Sequence, residues 1–421
     1  MSRKFFLLLI VLALPFLPKE SLSLTLDEAL ARARESLPSY QAAHLQVQAS
    51  QALYSASLGP YFPSLDASAS WSKSSTSFGT FDTRTYDLSL SYTLFDWGGR
   101  KASREIALYT LRSDREEVRK TLLALEYSVT AAFYTSLAQR DLLYQRTIQL
   151  QDARKVYEVA EGRRRFGVAK LSDVLQASVR VEQARFAVVQ AEGELTKALS
   201  DLNSLMGAAF GSKTEPEGSL DAAPVLPGKS VFMEAALATP EIKQAENTLH
   251  ITENNRKLIS STLYPSLAAG ASYTKTGGTM IGFSVPEEKT IALTASWNLF
   301  ELGKFYRLRS AGLESDVSLR RLAELKRQVL LAVQKSYEDC LTAANQVKVA
   351  QEQLRQAEHN YDQAFGEYKV GKGDILSLVQ AESLLSNARE QLITSLLNRV
   401  LSRILLERTA GMRLPAEELP R

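Results

Sequence analysis

TYDLSLSYTLFDWGGRKASR, residues 85–104, sets the architecture of the chain. Tyr86, Leu88, Leu90, Tyr92 and Leu94 alternate with Thr85, Asp87, Ser89, Ser91 and Thr93. That two-residue period marks a strand with one apolar and one polar face. Gly98 and Gly99 break it, and a long charged segment with helical spacing follows. A second copy, TIALTASWNLFELGKFYRLR, occupies residues 290–309. There Ile291, Leu293, Ala295, Trp297 and Leu299 alternate with Thr290, Ala292, Thr294, Ser296 and Asn298, and Gly303 stands in place of Gly98.

Working outward, each copy is preceded by a second strand. Tyr61-Phe62-Pro63-Ser64-Leu65 opens one and Leu263-Tyr264-Pro265-Ser266-Leu267 the other. Polar loops at 73–84 and 275–289 are expected to join the strands into hairpins. Each strand then has about ten residues, enough to cross a bilayer at a tilt. Helical patterns are expected upstream at 25–57, where Ala42, Leu45, Ala49, Ala52 and Leu53 form an apolar stripe, and at 232–261. Thr25 or Asp27 is placed to cap the first.

Downstream, residues 101–165 hold no proline and carry a seam at Val118, Leu122, Leu125, Val129, Ala132, Ser136 and Leu143. The second copy has one at Leu322, Leu325, Val329, Val333, Cys340, Ala343, Val347, Leu354, Ala357 and Tyr361. Spacings of three and four over many turns mean coiled-coil packing. Turns at Phe166-Gly167-Val168-Ala169 and Val370-Gly371-Lys372-Gly373 lead into shorter helices. A 65-residue helix is about 100 Å long and its successor about 55 Å, so composite columns are needed to cover it. End-to-end stacking of the helix ending at Met206 on the one starting at Phe232 is the expected arrangement, with the C-terminal helix on the N-terminal one.

The internal repeat divides the chain into a signal peptide (1–23), a first repeat (24–207), a linker (208–230), a second repeat (231–411) and a tail (412–421). The signal peptide rests on Arg3 and Lys4, the apolar run Phe5 to Leu17, and small residues near Ser23, where cleavage is expected. That run is short of the roughly 20 residues of a spanning helix. Fifty Lys and Arg against 47 Asp and Glu leave +3, so no basic field points to nucleic acid. One cysteine and three histidines form no disulfide framework and no metal spacing, and no nucleophile–base pair or phosphate loop suggests an enzyme or a cofactor.

Strands of this kind suit either a soluble antiparallel sheet with one dry side or a membrane barrel. Trp71, Tyr86, Tyr92, Tyr273 and Trp297 lie on the apolar faces, where a lipid-facing girdle would be. Four strands cannot close a barrel, and open edges are not tolerated in lipid. Other copies must complete the wall: two give eight strands around a filled interior, three give twelve around water.

These features resemble the TolC family of outer-membrane channel-tunnels, over nearly all of the chain after residue 23. The resemblance rests on the repeat, the strand starts above, the strand ends Leu94 to Gly98 and Leu299 to Gly303, and the tips Gly167 to Ala177 and Gly371 to Ala381. It implies a mixed α and β fold: long antiparallel helices forming an α-helical barrel, with four transmembrane strands per chain in a 12-stranded trimeric β-barrel. It further implies a homotrimer in the outer membrane and its lipid, extending into the periplasm of a Gram-negative cell. Its partners would be a periplasmic adaptor and an inner-membrane transporter of RND, ABC or MFS type, in efflux or type I secretion. In that picture the conduit is passive, its mouth opening by untwisting of the hairpins near Gly167 and Gly371. Phe166, Gly167 and Val168, with Val370, Gly371 and Lys372, correspond to adaptor-binding tips. The family narrows its mouth with aspartates after the second tip; Ser377 and Gln380 stand there in this chain. Asp374 is a nearby substitute that is also placed as an N-cap, and Asp173 matches an aspartate after the first tip. The rival reading is a periplasmic coiled-coil scaffold with a soluble β-domain.

Overall fold

The structure, a computed structural model, describes residues 23–77, 79–221, 226–278 and 287–412. The signal-peptide residues 1–22 and tail residues 413–421 lie outside it. In chain order the elements are β1 (Ser23–Leu24), α1 (Leu26–Ser36), α2 (Pro38–Ala56), β2 (Ser64–Thr76), β3 (Gly79–Phe95), α3 (Gly99–Arg165) and α4 (Leu171–Leu205). Then come β4 (Glu215–Pro216), α5 (Lys229–Ala236), α6 (Pro240–Ser261), β5 (Ser266–Gly278), β6 (Glu287–Ser296), α7 (Leu302–Lys369) and α8 (Ile375–Ala410).

Thr25 caps α1 in a capping box with Glu28. The single helices expected at 25–57 and 232–261 are each broken in two. Leu37 and Thr239 are extended because the proline that follows excludes the helical region, and Pro38 and Pro240 then start new helices.

Long helices α3 and α7, of 67 and 68 residues, run about 100 Å each. Leu125, Val129 and Ser136 of the first seam are buried, as are Leu322, Val333, Cys340, Ala343, Val347 and Ala357 of the second. The approach of α4 is close because Ala177, Ala184, Ala191 and Ala198, seven residues apart, are all buried.

Column stacking differs from the expectation. The end of α4 meets the α1–α2 joint, where the Ser36 hydroxyl donates to the Met206 carbonyl at 2.7 Å. The end of α8 meets the α5–α6 joint, with Gly411 against Thr239. Stacking is therefore within each half: α2 and α4 share α3, while α6 and α8 share α7. Lengths alone allowed either pairing; in the structure α2 and α4 pack on α3, while α6 and α8 both lie against α3 and α7.

Strands β2, β3, β5 and β6 form one antiparallel sheet in that order. Strands β2 and β3 have 13 and 17 residues, because the loop expected at 73–84 is mostly strand, paired from Lys73 with Asp82 to Thr76 with Gly79. Alternating Ser and Thr with no proline continue the ladder. Strand β6 ends at Ser296, opposite Ser266, so Trp297 and Leu299 lie beyond the sheet. Pro265, with no N–H to donate, precedes the partner strand.

Candidate functional site

Register places the alternating residues in rows. One face carries Leu65–Leu90–Ala271–Ile291 and Ala67–Leu88–Tyr273–Lys289; the other carries Asp66–Ser89–Ser272–Thr290 and Ser68–Asp87–Thr274–Glu288. The polar face is cross-linked, with Thr274 donating to Asp87 at 2.8 Å and the Ser64 and Ser91 hydroxyls 2.7 Å apart. No residue of the sheet is buried, and Ile291 is 92% exposed. A soluble sheet would have a covered side; this one has none within its chain.

Trp71, Tyr86, Tyr92 and Tyr273 share the apolar face. Trp297, expected with them, instead sits past β6, its indole N–H donating to the Leu263 carbonyl at 3.1 Å. From Phe95 to Tyr86 the apolar band is about 30 Å along the strand, or about 23 Å when tilted as barrel strands are. Charges end it: Lys275 and Glu287 pair at 3.8 Å, and Lys289 lies over the Tyr273 ring. The strands run beyond the band, which accounts for their excess over ten residues.

The two strand–helix junctions are not alike. Gly98 has φ +84 and precedes α3, and Trp97 before it is also left-handed, at φ +52. Trp97 is held there by its N–H bond to the Pro265 carbonyl, 2.8 Å, and by stacking on Tyr264. Gly303, expected to play the part of Gly98, is an ordinary residue inside α7. Because β6 stops early, the chain reaches α7 through an extended Glu301 and needs no tight turn. Arg100 clamps the first junction, pairing with Asp96 at 3.3 Å and donating to the carbonyls of Thr93 and Pro60. Sequence reasoning missed Arg100; the only signal was an arginine directly after the glycines.

Both tips are the same turn. Gly167 and Gly371 have φ +72 and +86, and Val168 and Lys372 donate back to the carbonyls of Arg163 and Glu367. This closes each helix with a glycine no other residue replaces without strain. Phe166, Val168 and Val370 are 85%, 63% and 70% exposed, and Lys372 is exposed too. Arg163 ties the tips together by donating to the Tyr368 carbonyl at 2.6 Å.

Of the mouth candidates, Asp374 caps α8 by accepting from the Ser377 N–H at 2.7 Å, which holds its carboxyl below the usual range. Asp173 accepts from the Lys170 N–H at 3.3 Å and caps α4. Ser377 and Gln380 are exposed on α8. Farther from the tips, α8 is pinned to α3 and α4: Glu382 meets Arg180 at 3.2 Å and Glu390 meets Arg146 at 2.6 Å. Burial pushes the Glu382 carboxyl up, against the pull of Arg180.

With this geometry in place, the comparisons decide the family. The model of the family described as outer membrane efflux protein matches residues 29–208 and again 232–412. The chain belongs to the outer membrane efflux protein family. Among relatives of this outer membrane efflux protein, the pyoverdine export outer membrane protein OpmQ of Pseudomonas aeruginosa is 25% identical, over 92% of this chain and 85% of its own. The toluene efflux pump outer membrane protein TtgC of Pseudomonas putida is 24% identical, over 88% and 79%. The solved structure of CusC superposes with a TM-score of 0.84 at 18% identity, covering 92% of each chain, and shows the shared fold. The family is one of outer-membrane efflux proteins, not of enzymes, and this efflux protein belongs to the outer membrane and extends into the periplasm.

Proposed function

We propose that three copies of the chain close a 12-stranded barrel above a helical barrel and form a passive conduit for an inner-membrane transporter. The observation that carries this is a pair of raw flanks running through both layers. Strands β2 and β6 are the sheet edges, and α2 and α7 flank α3 and α6 in the same order. The stripe Ala42, Leu45, Ala49, Ala52 and Leu53 is exposed on α2, a helix without Lys, Arg, Asp or Glu. On the opposite flank, α7 presents a groove of about 820 Å3 in which Leu313, Val317 and Leu325 alternate with Asp316, Arg320, Arg321 and Glu324. Each flank supplies what the other lacks, as a closed ring requires. Open edges in lipid would leave backbone groups unpaired at several kcal/mol each.

On this reading residues 24–207 and 231–411 are the two repeats, 208–230 a linker, and 412–421 a tail behind the second. Phe166, Gly167, Val168, Val370, Gly371 and Lys372 meet a periplasmic adaptor; their exposure supports the assignment. Trp71, Tyr86, Tyr92 and Tyr273 face lipid, and Trp297 marks the periplasmic rim. Asp173, Asp374, Ser377 and Gln380 lie by the mouth. Its relatives include a pyoverdine export protein and a toluene efflux pump protein, which leaves the cargo open. Native mass spectrometry of the detergent-extracted mature protein tests the reading. A trimer that conducts ions in a planar bilayer is expected; a detergent-independent monomer would overturn it in favour of the soluble scaffold.

A further inference from the structure

The second helices of the two hairpins expose different chemistry. Exposed positions on α4 include Glu182, Arg185, Glu192, Lys197 and Asp201. On α8 every exposed position from Leu376 to Leu405 is aliphatic, hydroxyl or amide, among them Ser377, Gln380, Leu384, Asn387, Gln391 and Asn398. From Ser377 to Leu405 that stripe is about 42 Å long, in a chain that is 23% charged.

Between Leu376 and Leu405 the charges of α8 are paired off the stripe, Arg403 with Glu407 at 2.9 Å among them, and the exposed Arg408 lies beyond it over the Tyr127 ring. Glu382 is 3% exposed beside Arg180, Arg389 reaches Asp152 at 3.6 Å, and Glu390, whose side chain is 43% exposed, is paired by Arg146 at 2.6 Å. Arg399 donates to the carbonyls of Leu220 and Asp221. These groups lie on the side that α8 turns to α3, α4 and the linker, so the uncharged stripe is the face left open. In a closed ring such a face meets either bulk solvent or the lumen. Charged side chains are the ordinary solution for bulk solvent, and α4 has them. Across a narrow lumen, three copies of one charge would face each other through little water and fix the sign of ion admitted.

We infer that the α8 stripe lines the periplasmic half of the lumen as an uncharged wall. Around Gln380 it presents Leu376 and Leu384, one turn to either side and 57% and 55% exposed, instead of a carboxylate ring. Asp374 does not restore that ring, since its carboxylate is turned to the Ser377 N–H. The conduit therefore passes solutes without regard to the sign of their charge, and polyvalent cations find no seat at its mouth. This rests on the trimeric conduit proposed above.

Planar-bilayer recordings of the detergent-extracted protein in a KCl gradient, with lanthanum as the trivalent probe, test it. The unsubstituted channel is expected to show a K+/Cl− permeability ratio within about twofold of unity and no lanthanum block. Gln380→Asp is expected to raise the ratio about fivefold and to create the block, while Glu182→Gln on α4 leaves both alone. A cation-selective, lanthanum-blocked parent channel would overturn the uncharged wall. So would a Gln380→Asp trimer with unchanged selectivity, which places α8 away from the lumen, or a shift caused by Glu182→Gln, which puts the charged face of α4 on it. A chain that forms no trimer and no conductance overturns the conduit reading itself, and this inference with it.

Discussion

Arg163, at the end of the first long helix, lies over the Tyr368 ring at 4.4 Å and donates to the Tyr368 main-chain carbonyl. One guanidinium thus joins the two tips, using the ring face and the negative end of α7 together. Tyr368 is 1% exposed, and its hydroxyl finds no partner. Arg163→Ala should therefore loosen the tips by about 1–3 kcal/mol, read as faster amide exchange over residues 366–374. Tyr368→Phe should be neutral or stabilising, because it removes a buried hydroxyl that bonds to nothing. A large loss from Tyr368→Phe would show that the hydroxyl has a role.

In the proposed barrel, side-chain parity alone would separate lipid from lumen. Leu90→Arg, in the middle of the apolar band, is expected to cost about 2–4 kcal/mol in barrel stability. Ser89→Arg, one residue away on the polar face, should be far milder. Heat-modifiability of the trimer in detergent gels, with folding into lipid vesicles, measures both.

Closure of the proposed ring would fix which residues meet between copies. Helix α2 climbs toward the sheet as α7 descends from it, so Leu45 and Leu313 both stand eleven residues, about 17 Å, from their junctions. Leu45→Cys with Leu313→Cys, in a Cys340→Ala background, should form a disulfide between copies and ladder to trimer on a non-reducing gel. Disulfides confined to single chains would rule out this seam.

Movement of α8 is required if the mouth opens there. Ser377 is exposed one turn into α8. Cross-linking Ser377→Cys between copies should abolish export and reduction should restore it. Full export through the cross-linked trimer would show that opening occurs elsewhere.

The cap at Asp374 sets an acid limit. Its carboxyl lies below the ordinary 3.8, held there by the Ser377 N–H. A depressed carboxylate contributes stability above its unfolded value and loses it as pH falls through its folded one. Protection of the Ser377 amide should thus persist at pH 5 and fall away only below about pH 3.8. Asp374→Asn, which still caps, should keep most of it, and Asp374→Ala should not.

Much of this was legible in residue order because it depends on local periodicity. The two-residue alternation of Tyr86 to Leu94 fixed which side chains share a face, and proline-free runs with seams at three and four fixed the long helices. Gly167 and Gly371 announced the tips, since few other residues adopt the left-handed turn they occupy. Leu37 and Thr239 show the limit: the prolines were visible, but the stripes on either side read as continuous helices.

Only the tertiary structure decided what lies beside what. Packing put α4 on α2 against α3, and α8 on α6 against both α3 and α7. It ended β6 at Ser296, moving Trp297 off the face its parity had promised, since a strand lasts only as long as its partner's backbone. It also brought Arg163 to Tyr368 and Arg180 to Glu382 across about two hundred positions, contacts no spacing encodes. Periodicity is a property of a segment and is written in it; adjacency is settled by the surfaces that compete for the same neighbour.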